Sequence, residues 1–151
     1  MKFHIGLRTI KTTLAIALCA GFMEYVLHVS PFFGCIGAFV AVDNTIGKSI
    51  KAIIKRNFAT VIGGIIGMIF TYFTDNVFIL ALGVMALIVL LNQTKYTEAI
   101  LPAAIVYLGV VYIDFSQNSA ALYALSRVVE TFIGTIIGLA VNLIIKAPEE
   151  N

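Results

Sequence analysis

Apolar residues dominate six stretches of this chain, and short polar or turn-forming segments separate them. Because about 17 to 25 mainly apolar residues cross the hydrocarbon region of a bilayer, the pattern predicts six transmembrane helices. Ser30-Pro31 sets the start of the second, since proline cannot continue the preceding helix but suits the first turn of the next one. The fold class is therefore an all-α membrane protein, with residues 1–151 as a single transmembrane domain. The approximate spans are 9–29, 31–43, 57–74, 76–92, 99–115 and 128–146.

Composition supports a membrane protein rather than a soluble domain. Hydrophobic residues make up 60% of the chain and charged residues only 12%, whereas about a quarter is usual in a soluble domain. The net charge of +2 is small and the basic residues lie next to apolar runs, so we expect the lipid bilayer, and no nucleic acid, as a partner. Cys19 and Cys35 lie inside apolar runs without metal-ligand spacing, so we expect them in the core and predict no metal.

The positions of lysine and arginine predict the orientation of the spans. Positively charged residues concentrate in the cytoplasmic loops of membrane proteins. With a cytoplasmic N-terminus and six alternating spans, nine of the ten basic residues lie inside and only Arg127 lies outside. Both termini are therefore predicted to be cytoplasmic, in a multi-pass protein of the inner, or cytoplasmic, cell membrane.

The chain contains an internal repeat at an offset of 71 residues, seen most clearly in RNFATVIGGIIG and RVVETFIGTIIG. The matching positions also include Pro31 with Pro102 and Asp43 with Asp114. An odd number of spans per copy inverts the second copy in the membrane. The pattern thus predicts two inverted three-helix repeats, about 9–74 and 76–146, an arrangement typical of transporters with alternating access.

The residues that match between the two copies of the motif lie on one helix face. At 100° per residue, Arg56, Thr60, Gly63 and Gly67 fall within a stripe of about 60°. Glycines at this spacing allow close helix packing, with threonine able to hydrogen bond across the contact. The second stripe consists of Arg127, Thr131, Gly134 and Gly138.

The arginines and threonines of these stripes are candidate substrate-binding residues. Each arginine is predicted to start a helix, where the macrodipole disfavours a cation unless something negative lies nearby. The compensating group is either a carboxylate of Asp43, Asp114 or Glu130, or an anionic substrate or lipid phosphate. For Arg56, which follows three lysines, a positive-inside anchor is an equal alternative.

Other ionisable residues near the span ends are candidates for gating or proton coupling. Glu24, with His28 four residues later, lies near the outer end of the first span, and Glu130 near that of the sixth. Asp43 and Asp114 end the second and fifth spans. Water reaches such interfacial groups at little cost, so a plain surface role is the alternative.

Two further features leave alternatives open. Asn142, deep in the sixth span, is compatible with a helix–helix hydrogen bond. The segment DNTIGKSIKAIIKR places isoleucines at helical spacing, so it either lies in the headgroup region or continues the third span inward.

The short span PFFGCIGAFVAVD, the R-x3-T-x2-G-x3-G motif and the closing SRVVETFIGTIIGLAVNLII resemble the membrane domain of the aromatic acid exporter and fusaric acid resistance-like (FUSC) family. The resemblance spans nearly the whole chain. It implies a six-helix membrane domain, a homodimer and efflux of aromatic carboxylic acids; plant malate channels look like distant relatives. Many members carry a cytoplasmic helical domain after the membrane region, whereas this sequence ends at KAPEEN.

No motif predicts enzymatic chemistry or a cofactor, because there is no phosphate-binding glycine loop and no nucleophile beside a base. The leading hypothesis is a permease that exports small organic anions. Two alternatives are a non-transporting membrane scaffold or accessory subunit, with the glycine stripes as docking faces, and a passive anion channel.

Overall fold

The computed structural model describes residues 6–43, 45–94, 96–112 and 120–145, and their regular secondary structure is helical throughout. This confirms the all-α class. The helices are α1 (Leu7–Gly21), extended by a π-helical turn (Phe22–Val26), α2 (Phe32–Ala41), α3 (Ile46–Phe73), α4 (Val77–Asn92), a 3₁₀ turn (Thr97–Ala99) leading into α5 (Ile100–Tyr112), and α6 (Ala120–Ile144).

Among the described residues, three helical segments are long and apolar enough to cross a membrane. They are Leu7–Val26, Ile46–Phe73 and Ala120–Ile144, with 20, 28 and 25 residues. The other apolar helices are shorter, and α2 has only 10 residues, about 15 Å at 1.5 Å per residue. By length, therefore, three of the six predicted spans match helices that can cross the hydrocarbon region alone.

Helices α3 and α6 begin earlier than the charge pattern predicts, at Ile46 and, within the described residues, at Ala120. The segment after Asp43 contains no proline, and its isoleucines keep the helical spacing, so nothing breaks the helix before Arg56. Arg56 is thus the eleventh residue of α3 and Arg127 the eighth of α6. The prediction that each arginine starts a helix was wrong, and the macrodipole argument does not apply to either.

The end of α1 also differs from the prediction. The helix widens into the π-helical turn, in which the Leu27 N–H donates to the Phe22 carbonyl over 3.2 Å. His28 then adopts a left-handed φ of 54° outside the helix. Glu24 and His28 therefore do not share a helical face, although they are four residues apart.

The described residues form two compact units. The terminal unit comprises those up to Ile54 and from Glu130 onward, and the central unit comprises Lys55–Val129. The boundaries fall inside α3 and α6, so each unit contains parts of both sequence repeats.

The terminal unit has a core of small and apolar side chains from α1, α2 and α6. Ala15, Cys19 and Met23 of α1 are fully buried, together with Ala38 of α2, and Val141 of α6 packs against them. The spacing of four residues between the α1 members places them on one helix face. Cys19 is thus a core residue, as the sequence predicts.

The central unit has Tyr107 of α5 at its core. The fully buried phenol donates a hydrogen bond of 2.6 Å to the Leu80 carbonyl of α4. Its hydroxyl occupies the space that a side chain at Gly83 would fill, and the Phe70 ring of α3 lies edge-on at 6.1 Å. Tyr107 of α5 therefore contacts both α3 and α4 and stabilises the packing of the three helices.

We expect Tyr107→Phe to lower the free energy of unfolding by about 1 kcal/mol, the usual net value of a buried hydrogen bond. Tyr112→Phe is the matched control. Tyr112 also lies in α5 and also donates to a carbonyl of α4, that of Val77 over 3.2 Å, but its phenol is exposed. Unfolding of both variants in mixed micelles measures the difference. Equal effects of the two substitutions would contradict the role of Tyr107.

Candidate functional site

Arg56 is a buried cation inside α3. Its side chain is only 4% exposed, and neither Nε nor Nη2 has a hydrogen-bond partner within the described part of the chain. Burying an unpaired charge in protein or lipid is costly, so such a residue marks a functional site by default. Arg56 thus has two N–H directions available for an acceptor.

Thr60 follows Arg56 on the same helix face and is fully buried. Its hydroxyl donates to the Arg56 carbonyl over 3.0 Å. A threonine that bonds back to its own helix has used its one proton. In this structure Thr60 can accept a further hydrogen bond, but it has no proton to offer to an anion.

Arg127, the equivalent residue of the second copy, has a different environment. It is half-buried, and its guanidinium carbon lies 4.6 Å from the centre of the Tyr123 ring. Its Nε and Nη2 each lie 3.4 Å from the Ser126 hydroxyl. Cation–π contact and these weak hydrogen bonds stabilise part of its charge. Arg56 and Arg127 both belong to the central unit.

Three of the acidic candidates, Glu24, Asp43 and Glu130, belong to the terminal unit, as does Thr131. Glu130 and Thr131 of α6 are buried, whereas Glu24 is exposed. Asp43 is half-buried after the end of α2, and its backbone N–H donates to the Ser49 hydroxyl over 3.2 Å. Asp114 lies outside the described residues. Gating or proton coupling by this set remains a prediction.

The glycines of the first stripe contact α5. Gly63 lies so close to this helix that an added methyl group would overlap the backbone of Ala103. A methyl group at Gly67 would come within 2.9 Å of the Val110 side chain. Close backbone approach at small residues is the main device of helix packing in membranes.

The glycines of the second stripe make the corresponding contact with α2. A methyl group at Gly134 would overlap the backbone of Gly34, and one at Gly138 would come within 2.5 Å of the Ala38 carbonyl oxygen. Gly34 corresponds to position 105 in the repeat register, two residues from the Ala103 contacted by Gly63. The two copies therefore make similar contacts with partners exchanged, α3 on α5 and α6 on α2.

One polar cluster has only a partial signal in the sequence. Asn142 of α6 accepts a hydrogen bond of 3.4 Å from Lys11 of α1 and donates one of 2.8 Å to Ser49 of α3. Asn142 thus forms helix–helix hydrogen bonds, the role with which its place in the sixth span is compatible. The sequence indicates Lys11 only as a cytoplasmic charge and gives no signal for Ser49, because their partners are distant in sequence.

An apolar groove of about 580 Å³ lies beside α1 and α2 and is lined by residues that include Ile16, Phe32 and Phe39. None of its lining residues is charged, and none is a candidate site residue. Because an anion needs donors or a counter-charge, this groove is a poorer anion site than the surroundings of Arg56.

Long apolar helices, glycine-mediated packing and buried basic side chains define a multi-pass helical membrane protein. The chain belongs to the family described as Aromatic acid exporter family member 1, whose model matches residues 3–145. The family predicted from the sequence is confirmed.

The chain is also similar to bacterial proteins whose names state no activity. The UPF0421 protein of Staphylococcus epidermidis is 31% identical over 145 residues, which cover 96% of this chain and 44% of the relative. UPF0421 protein SH1063 of Staphylococcus haemolyticus is 30% identical over 148 residues, covering 98% and 45%. The Bacillus subtilis protein YgaE is 24% identical over 146 residues, covering 96% and 41%. The chain thus spans less than half the length of these relatives, and no solved structure matches it significantly.

We expect Gly63→Ala and Gly134→Ala each to lower the free energy of unfolding by about 1–3 kcal/mol, because the methyl group forces two helix backbones apart. Gly47→Ala is the matched control, since nothing lies within 4 Å of its added methyl group and alanine favours the helix. Unfolding in mixed micelles compares the three variants. If Gly63→Ala were as stable as Gly47→Ala, the close contact with α5 would be refuted.

Proposed function

We propose that this chain forms a membrane permease that exports small organic anions, aromatic carboxylates among them, and that Arg56 is its principal anion contact. The observation that supports this most directly is the buried Arg56 guanidinium, two of whose donor atoms have no hydrogen-bond partner among the described residues. A carboxylate matches this group well, because its two oxygens accept parallel hydrogen bonds from a guanidinium.

Family membership supports the substrate class. The family is named for the export of aromatic acids, and the match covers residues 3–145. An aromatic acid combines a carboxylate for the arginine with an apolar ring that an apolar helix environment accepts. In this proposal Thr60 supports the α3 backbone at Arg56, while Arg127 and Thr131 provide the equivalent polar positions of the second copy.

The proposal includes two inverted three-helix repeats with six spans and cytoplasmic termini, and the reciprocal glycine contacts support the repeat. α2 and α5 occupy corresponding positions in the two repeats, and each is short, with 10 and 13 residues. Each begins next to or contains one of the paired prolines, Pro31 and Pro102. Short or interrupted helices in matching positions are typical of substrate sites in inverted-repeat transporters.

Glu130 is the better candidate for proton coupling, since it is buried while Glu24 is exposed. A carboxyl that changes its protonation state inside the membrane could link anion movement to a proton gradient. Asp43 and Asp114 complete the proposed gating set. A homodimer in the cell membrane follows from the family resemblance and stays part of the proposal.

The glycine contacts also weigh against the scaffold alternative. Gly63, Gly67, Gly134 and Gly138 pack against neighbouring helices of the same chain, so they are not docking faces for another protein. The alternative of a passive anion channel would use the same Arg56 site. A channel and a coupled exporter differ in whether a proton gradient drives accumulation of the anion.

We expect Arg56→Gln to reduce the flux of labelled benzoate from proteoliposomes about 10- to 100-fold at low substrate concentration. A hydrogen bond to a charged group contributes about 1.5–3 kcal/mol, and each 1.4 kcal/mol is a factor of ten. Lys51→Gln is the matched control, because Lys51 is an exposed cation of the same helix. Arg127→Gln should have a smaller effect, since Tyr123 and Ser126 already stabilise that charge.

Circular dichroism and gel filtration verify that the variants remain folded. Benzoate accumulation driven by an imposed proton gradient, beyond that in protein-free liposomes, would identify coupled transport, and equalisation of concentrations would identify the channel. Equal flux through wild type and a folded Arg56→Gln variant would contradict the assigned role of Arg56, and absence of flux in the wild type would contradict the permease itself.

A further inference from the structure

A second buried basic residue lies in the terminal unit, where Lys11 of α1 meets Ser49 of α3 and Asn142 of α6. Each of these side chains is at least 96% buried, since their exposed fractions are 4%, 0% and 4%. Three different helices thus supply one cluster of polar groups that is closed to solvent. Such a cluster is stable only if its hydrogen-bonding groups are satisfied.

Hydrogen-bond donors outnumber acceptors in this cluster. Lys11 has three N–H donors, and its hydrogen bond within the described residues uses one of them, on the amide oxygen of Asn142. The Ser49 oxygen accepts from Asn142 Nδ2 and from the backbone N–H of Asp43. The serine proton and the second amide proton of Asn142 therefore add to the surplus of donors.

The cluster also has a surplus of positive charge. Lys11 forms no ion pair with any carboxylate among the described residues, and its partner Asn142 is neutral. By contrast, the half-buried Lys55 of the central unit is paired with Glu98. A buried ammonium whose partner is a single neutral amide is costly, and an anion would stabilise it.

We propose that Lys11, Ser49 and Asn142 form an oxyanion-binding site. It shares no residue with the stripe that contains Arg56. Its ligand is a carboxylate or phosphate group, whose oxygens accept from the ammonium, the serine hydroxyl and the Asn142 amide together. Both a soluble anion and the phosphate of a lipid headgroup have this chemistry. The proposal does not depend on transport, because the site would bind its ligand in a protein that moves nothing.

The test uses the full chain with Arg56→Gln, which removes the proposed transport contact and isolates the second site. Helix unfolding is followed by circular dichroism in maltoside micelles, with sodium acetate or inorganic phosphate replacing chloride at constant ionic strength. A ligand that binds only the folded state raises the melting temperature with its concentration. We expect this rise, and we expect it to vanish in Lys11→Gln.

Asn142→Asp gives the sharpest version of the test. The substituted carboxylate has nearly the same shape as the amide and supplies a negative charge beside Lys11 from within the protein. The melting temperature without added oxyanion should rise, and the response to acetate or phosphate should disappear. Ser49→Ala, which removes one donor, should weaken the response, whereas Lys48→Gln should leave it intact because Lys48 is exposed on the same helix.

Two lipid additions distinguish the sources of the ligand. Short-chain phosphatidylglycerol supplies a phosphate, and the matching diacylglycerol lacks it. Stabilisation by phosphatidylglycerol alone, dependent on Lys11, identifies a lipid headgroup site, and stabilisation by the free ions identifies a site for soluble oxyanions. The proposal is wrong if none of these oxyanions stabilises the parent protein, or if Lys11→Gln and Asn142→Asp respond as the parent does.

Discussion

Close approach of helix backbones at glycine is the constraint on which both units depend. In a bilayer the lipid tails are as apolar as the helices, so burial of apolar side chains gives little drive for association. Van der Waals contact between helix backbones therefore drives the association. Gly63 brings α3 onto α5, and Gly134 brings α6 onto α2, where the side chain of any other residue would overlap backbone atoms. The arginine and threonine that precede these glycines are held at defined places by the same contacts.

The second theme is positive charge buried beyond the reach of solvent. Arg56 and Lys11 are each only 4% exposed, and the described residues provide neither with a carboxylate partner. A fold that places two cations in this way loses stability unless an anion offsets the cost. Both proposals follow from this imbalance. Arg56 lies on the repeated stripe and is assigned to the transported anion, whereas Lys11 belongs to a donor cluster that the repeat does not duplicate, since position 82 is leucine.

The sequence predicted the features that depend on local pattern. Apolar runs indicated helices, and the spacing of Arg56, Thr60, Gly63 and Gly67 indicated one face, all of which the structure buries. The start of α3 lies before the predicted bound of 57, and the structure supports the alternative in which DNTIGKSIKAIIKR continues the third span inward, because helices tolerate lysine and nothing in that segment breaks one. The Lys11–Asn142 contact was also missed, since its partners are 131 positions apart and no periodicity connects them. The use of the Thr60 proton by its own helix likewise depends on a side-chain rotamer that sequence does not encode.

A structure of the protein determined with 4-iodobenzoate would test the central claim most directly, because anomalous scattering from iodine locates the ligand without assumptions about its orientation. We predict an iodine peak in the central unit, with the carboxylate within hydrogen-bond distance of Nε and Nη2 of Arg56. A ligand bound at saturating concentration elsewhere, with the Arg56 guanidinium still unpartnered or paired with a carboxylate of the protein itself, would contradict Arg56 as the anion contact.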